Sequence, residues 1–95
     1  MNSQTLGVAS TYSGFSVDEF PPDGLLGMGF ETISAYPAAP LFQNMVTLGL
    51  VSTPEFSFKL SDTPGDSELT IGGSNPDLFD SDSLVSVNVT VAVRK

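Results

Sequence analysis

The sequence predicts an all-β fold with one short helix. Nine glycines and seven prolines among 95 residues are too many for a helical domain and suit short strands joined by turns. Two segments, residues 55–60 and 84–93, alternate apolar and polar positions with the period of a half-buried strand. Only residues 40–48 space their apolar side chains as a helix does. A chain of this length makes one small domain or one piece of a larger one, with a modest core.

Residues 5–9 are small and β-prone and run into a polar stretch containing Gly14. Pro21-Pro22-Asp23-Gly24 is a turn signal, because proline fixes φ and Gly24 can adopt the positive φ that ends such turns. The apolar run Leu25-Leu26-Gly27-Met28-Gly29-Phe30 follows. Glycine within a strand marks a place where another backbone or a ligand approaches closely. In the helix, Leu41, Phe42, Met45, Val46 and Leu48 form the stripe, with Pro40 at the start. Gly49 stands where a C′ glycine ends a helix, and Leu50 can fold back onto Met45.

Phe56, Phe58 and Leu60 share one face of the next strand. Residues 61–67 turn the chain, and Glu68-Leu69-Thr70-Ile71-Gly72-Gly73 returns to complete a hairpin. Residues 75–82 read as a polar loop. Val85, Val87, Val89, Val91 and Val93 then fall on one face of a last strand.

The composition excludes whole classes of chemistry. The sequence has no cysteine, hence no disulfide, thiolate metal site or cysteine nucleophile. It has no histidine either, which removes the Ser-His-Asp triad and imidazole zinc sites. Eleven Asp and Glu against three basic residues, Lys59, Arg94 and Lys95, give a formal net charge of −8. That lacks the basic footprint a nucleic-acid binder needs and is repelled by anionic membranes. No apolar run approaches the roughly 20 residues that span a bilayer. The first eight residues show neither the basic n-region nor the apolar h-region of a secretory signal.

Several local patterns carry little. The glycines at 24, 27 and 29 fall in the wrong order for a dinucleotide loop and no lysine follows. Asp77, Asp80 and Asp82 lack calcium-loop spacing and read as a solvated acidic loop. Asp62-Thr63-Pro64 reads as an acidic hairpin tip. Asn88-Val89-Thr90 is a candidate glycosylation sequon.

Five segments in series carry a more specific resemblance. Pro22-Asp23-Gly24-Leu25-Leu26-Gly27-Met28-Gly29-Phe30 resembles the Phe-Asp-Gly-Ile-Leu-Gly-Leu-Gly segment of pepsin-like aspartic endopeptidases of fungal type. Pro40-Leu41-Phe42-Gln43-Asn44-Met45, with Gly49-Leu50-Val51, resembles that family's Pro-x-Phe-Asp-Asn-x helix and the Gly-Leu-Val after it. Phe56-Ser57-Phe58-Lys59-Leu60 resembles Phe-Ser-x-x-Leu, and Glu68-Leu69-Thr70-Ile71-Gly72-Gly73 resembles Gly-Glu-Leu-x-x-Gly-Gly. Leu84 with Val87 to Val89 resembles the Leu-x-x-x-Pro-Val strand, with Asn88 at the proline. The match covers about residues 5–90 and implies that residues 1–95 form part of one lobe of the bilobed fold, the second half of the N-terminal lobe.

In that family a strand of two apolar residues and a glycine threads a ψ-shaped loop beneath a catalytic aspartate. The resemblance assigns that strand to Asp23, Gly24, Leu26 and Gly27. It also places Leu25 in the wall of the pocket for the substrate side chain before the scissile bond, with Phe15 or Phe20. A place for Leu25 and Leu26 in the core fits equally well.

The mechanism implied is hydrolysis of polypeptides by water activated between two aspartates that share a proton, with no metal or cofactor. Each aspartate comes from an Asp-Thr/Ser-Gly triplet, and neither triplet occurs in this sequence. No catalytic residue is therefore assigned, and these residues alone are expected to be inactive. Their implied partners are the remainder of their own lobe and the C-terminal lobe. The family implies an extracellular or vacuolar setting. A non-enzymatic β-rich binding module, or an inactive paralogue on the same scaffold, is the alternative reading.

Overall fold

The computed structural model describes residues 3–11, 19 and 21–90. They divide into two compact units, one extending to Asn44 and the other beginning at Met45. The regular structure is of the expected kind: a small antiparallel sheet, one short helix, and turns between them.

Helix α1 spans Leu41–Thr47, inside the predicted residues 40–48. The Pro40 carbonyl accepts the first turn's bond from the Asn44 N–H at 3.1 Å, so proline sits just ahead of the helix, where its missing N–H costs nothing. The C-terminus closes as the Gly49 and Leu50 pattern predicts. Gly49 takes φ +70°, its N–H donates to the Val46 carbonyl at 3.1 Å, and the Leu50 N–H reaches the Met45 carbonyl at 2.9 Å. These are the two bonds of a Schellman closure. Phe42 is the one buried apolar side chain among the described residues, 8% exposed.

In the unit beginning at Met45, strands β1 (Phe56–Lys59) and β2 (Glu68–Ile71) pair antiparallel, with Phe56 opposite Ile71 and Lys59 opposite Glu68. Phe56 and Phe58 share a face, as the alternation requires, and their rings meet edge to face at 5.9 Å. The connecting loop is built around Thr63-Pro64-Gly65-Asp66. The Asp66 N–H donates to the Thr63 carbonyl at 3.1 Å and Gly65 has φ +80°. Proline before a positive-φ glycine is the signature of a type II turn. Ser67 cinches the loop base: its Oγ accepts from the Ser61 N–H at 3.0 Å and donates to the Ser61 carbonyl at 3.3 Å. At the far end of the hairpin the Glu55 carbonyl accepts from both Gly72 and Gly73 N–H groups, at 2.8 and 3.1 Å.

Three predicted strands require correction. Residues 5–9, 25–27 and 84–90 form no strand, and Val91 and Val93 lie outside the described residues. Alternation gives a segment an apolar face, but a strand also needs a neighbour to receive its N–H and C=O groups. Among the described residues none of these three has a ladder partner. The polar loop at residues 75–82 is more ordered than predicted and holds two 3₁₀ turns, Pro76–Leu78 and Ser81–Ser83. Each opens with a side-chain cap: Asn75 Oδ1 accepts from the Asp77 N–H and Asp80 Oδ1 from the Asp82 N–H, both at 3.1 Å.

Candidate functional site

The predicted site residues fall in the apolar segment before α1. Asp23, Gly24, Leu25, Leu26 and Gly27 are all exposed. Leu25 is 87% exposed and Leu26 58%, so neither serves as core within this chain. A Cβ added at Gly24 or Gly27 would meet nothing within 4 Å, so the close backbone approach predicted at Gly27 does not occur among these residues. Phe15 and Phe20, named with Leu25 as pocket residues, lie outside the described residues.

This segment is fixed at its downstream end. The Gln43 amide, on the first turn of α1, donates from Nε2 to the Gly29 carbonyl at 3.1 Å. Its neighbour Asn44 donates from Nδ2 to Gln4 Oε1 at 2.8 Å and to the Ala39 carbonyl at 3.5 Å. Two adjacent amides thus tie α1 to two separate upstream stretches. A 3₁₀ turn at Glu31–Ile33 carries the chain from Gly29 toward α1. Tyr36 lies against Gly7 so closely that a Cβ on that glycine would collide with the ring.

The carboxylates have other occupations. Asp66 pairs with Lys59 Nζ at 2.7 Å across the hairpin. That hydrogen bond, with one from Ser61 and the charge of Lys59, holds its carboxyl below the ordinary aspartate value. Glu68 Oε2 accepts from Asn75 Nδ2 at 3.1 Å and from the Thr70 hydroxyl at 3.3 Å, fastening β2 to the following loop. Asp80 serves as a cap. Among the described residues no three His, Cys, Asp or Glu groups gather where they could hold a metal ion. No helix there is long and apolar enough to cross a membrane. Asn88 and Thr90 of the candidate sequon are exposed.

The sequence reading missed Gln43, Ser67 and the two cap residues. Asn75-Pro76-Asp77 did carry a signal, since asparagine before proline opens a helical turn. The Gln43 bond carried none, because its partner is a carbonyl fourteen residues upstream.

The helix, the hairpin and the glycine-rich segment stand in the order that the five motifs require. The family profile described as "Eukaryotic aspartyl protease" matches residues 1–94, and the chain belongs to the aspartyl protease family, of pepsin-like type. It is 46% identical over 70 residues to cathepsin E of Cavia porcellus, covering 72% of this chain and 18% of that protein. It is 37% identical over 79 residues to vacuolar protease A of Neurospora crassa, covering 83% and 20% respectively. Cathepsin D of Dictyostelium discoideum is 42% identical over 65 residues, covering 68% and 17%. The chain spans a fifth or less of the length of these curated relatives.

Proposed function

We propose that these residues are a scaffold and substrate-wall portion of an aspartic-type endopeptidase. The parent enzyme hydrolyses polypeptides with water activated between two aspartates, and both aspartates lie outside this sequence. The supporting observation is the family match over residues 1–94, with neither Asp-Thr/Ser-Gly triplet present. Leu25, with Phe15 or Phe20, forms the wall of the pocket before the scissile bond. The place of Leu25 in the Asp23-Gly24-Leu25-Leu26-Gly27 segment, which resembles the family's Asp-Gly-Ile-Leu-Gly, supports that role. Asp23, Gly24, Leu26 and Gly27 form the strand of the ψ-loop once the rest of the lobe supplies its neighbours. Relatives named vacuolar proteases support a vacuolar or extracellular setting, where the exposed Asn88 is a glycan acceptor.

The purified 95-residue chain is expected to cleave nothing. A solvated aspartate near its reference pKa of about 3.9 is a poor base for water. The complete gene product, carrying two triplets, is expected to show pepstatin-sensitive cleavage of denatured protein between pH 3 and about 5. Cleavage by the isolated chain, or a complete gene product without either triplet, contradicts this reading. The latter result makes the scaffold a binding module.

A further inference from the structure

Asn88 stands where the Leu-x-x-x-Pro-Val strand has proline, and the exchange changes what that strand presents at its side. Proline has no backbone N–H, so within sheets it is confined to an edge, to a strand's first residue or to a bulge. At this place in the motif no neighbouring strand takes a hydrogen bond. Asparagine restores the N–H there, on a side of the strand where no acceptor is waiting.

The surrounding sequence makes that donor a hazard. No charged residue occurs between Asp82 and Arg94. Val85, Val87, Val89, Val91 and Val93 occupy one face of the alternation, and Ser86, Asn88, Thr90 and Ala92 the other. Uncharged runs of such β-propensity, without proline, pair edge to edge with copies of themselves. The run begins at a defined point. The Leu84 N–H closes the Ser81–Ser83 turn on the Ser81 carbonyl at 3.3 Å, and Leu84 is itself extended, with φ −66° and ψ 125°. The residue that forgoes proline's protection also heads the sequon Asn88-Val89-Thr90, whose middle residue is not proline, as glycosylation requires.

We propose that an N-linked oligosaccharide on Asn88 guards this strand edge in place of the family's proline. The proposal rests on the reading that the protein travels a secretory route and that Asn88 accepts a glycan, and it gives that glycan a task. In the transfer, Asn88 Nδ2 bonds to the anomeric carbon of an oligosaccharide carried on a lipid pyrophosphate. The bond from that carbon to the pyrophosphate oxygen breaks, the lipid pyrophosphate leaves with the electron pair, and the amide gives one proton to a base. Paired strands lie about 4.8 Å apart, so copies stacked in register would set Asn88 on Asn88 with no room for a glycan on each. The valine face stays free to pack within the lobe, because alternation puts Asn88 on the opposite face.

The test uses the complete gene product secreted from a eukaryotic host. Mass spectrometry reads the peptide bearing Asn88, and light scattering reads the concentrated protein. The wild type is expected to carry the glycan and to remain monomeric. Asn88→Gln and Thr90→Ala both abolish the sequon and keep the N–H, and both are expected to lose monomer to aggregates. Asn88→Pro lacks the glycan and the N–H alike, and is expected to remain monomeric. Where a variant is not secreted, removing the glycan from the folded wild type with an endoglycosidase makes the same comparison, and is expected to give aggregates. A bare Asn88 in the wild type overturns the proposal. So does a wild type that aggregates despite its glycan, an Asn88→Gln or deglycosylated protein that stays monomeric, or an Asn88→Pro protein that aggregates as Asn88→Gln does. None of these readouts is cleavage. Pepstatin-sensitive activity with a bare Asn88 overturns the glycan and leaves the protease reading standing, while a glycan-guarded monomer that cleaves nothing does the reverse.

Discussion

Lys59 is the one cation of the hairpin, and its bond to Asp66 gives the chain a measurable electrostatic marker. The carboxyl of Asp66 titrates below its usual 3.8 because it accepts hydrogen bonds from Lys59 and Ser61 and sits beside the ammonium charge. A carboxyl whose folded value lies below its unfolded one contributes stability above the unfolded value. That contribution is lost as pH falls through the folded value. The window here is therefore below about pH 4, and the exposure of both side chains keeps the effect small. An NMR titration is expected to place the Asp66 midpoint under 3.8, and Lys59→Met to move it upward; an unmoved midpoint contradicts the assignment. The alternating pattern of residues 55–60 showed the strand that carries Lys59, but no spacing rule showed which of Asp62 and Asp66 would meet it. The type II turn decides that, by setting how the loop comes back.

Local signals account for what was legible at the scale of elements. Proline before and glycine after an apolar helical stripe bounded α1, and alternation beside a Pro-Gly turn marked the hairpin. Both elements close on their own neighbours in sequence. Residues 5–9, 25–27 and 84–90 carry equally good strand composition and form none, because their missing requirement is a partner and not a pattern. The candidate site suffered the same way: Leu25 was visible as an apolar residue between turns, while the amide that anchors its segment came from a different element. The helix end gives the sharpest test of local control. Gly49 at φ +70° occupies a conformation that costs an alanine about 1 kcal/mol. Gly49→Ala should therefore speed exchange of the Leu50 amide, which bonds to Met45, by several-fold. Gly49→Asn should speed it less, since asparagine tolerates that conformation. Equal exchange in the alanine variant and the wild type would show that the closure does not depend on glycine.

Among the described residues the apolar surface is left largely uncovered. Phe42 alone of their apolar side chains is buried, while Leu6, Val8, Leu25, Leu60, Val85 and Val87 are each more than 80% exposed. Continuous exposed apolar surface promotes association, and unpaired main-chain groups along a strand-like segment recruit other chains. The net charge of −8 opposes this, but at physiological salt its reach is about 8 Å, and it fades as carboxylates protonate. The isolated chain is expected to bind a hydrophobic dye, to melt without a sharp transition, and to aggregate increasingly below about pH 5. A sharp two-state melt from a monodisperse monomer at pH 4 contradicts that expectation. The hairpin stands apart from this dependence. Its ladder, its turn and the Ser61–Ser67 cinch all close within a short stretch of sequence, with the Glu55 carbonyl tying off the open end. A two-stranded hairpin alone is marginal in water, so a synthetic peptide of this span is expected to present the loop as an antigen only when a covalent link closes its open end.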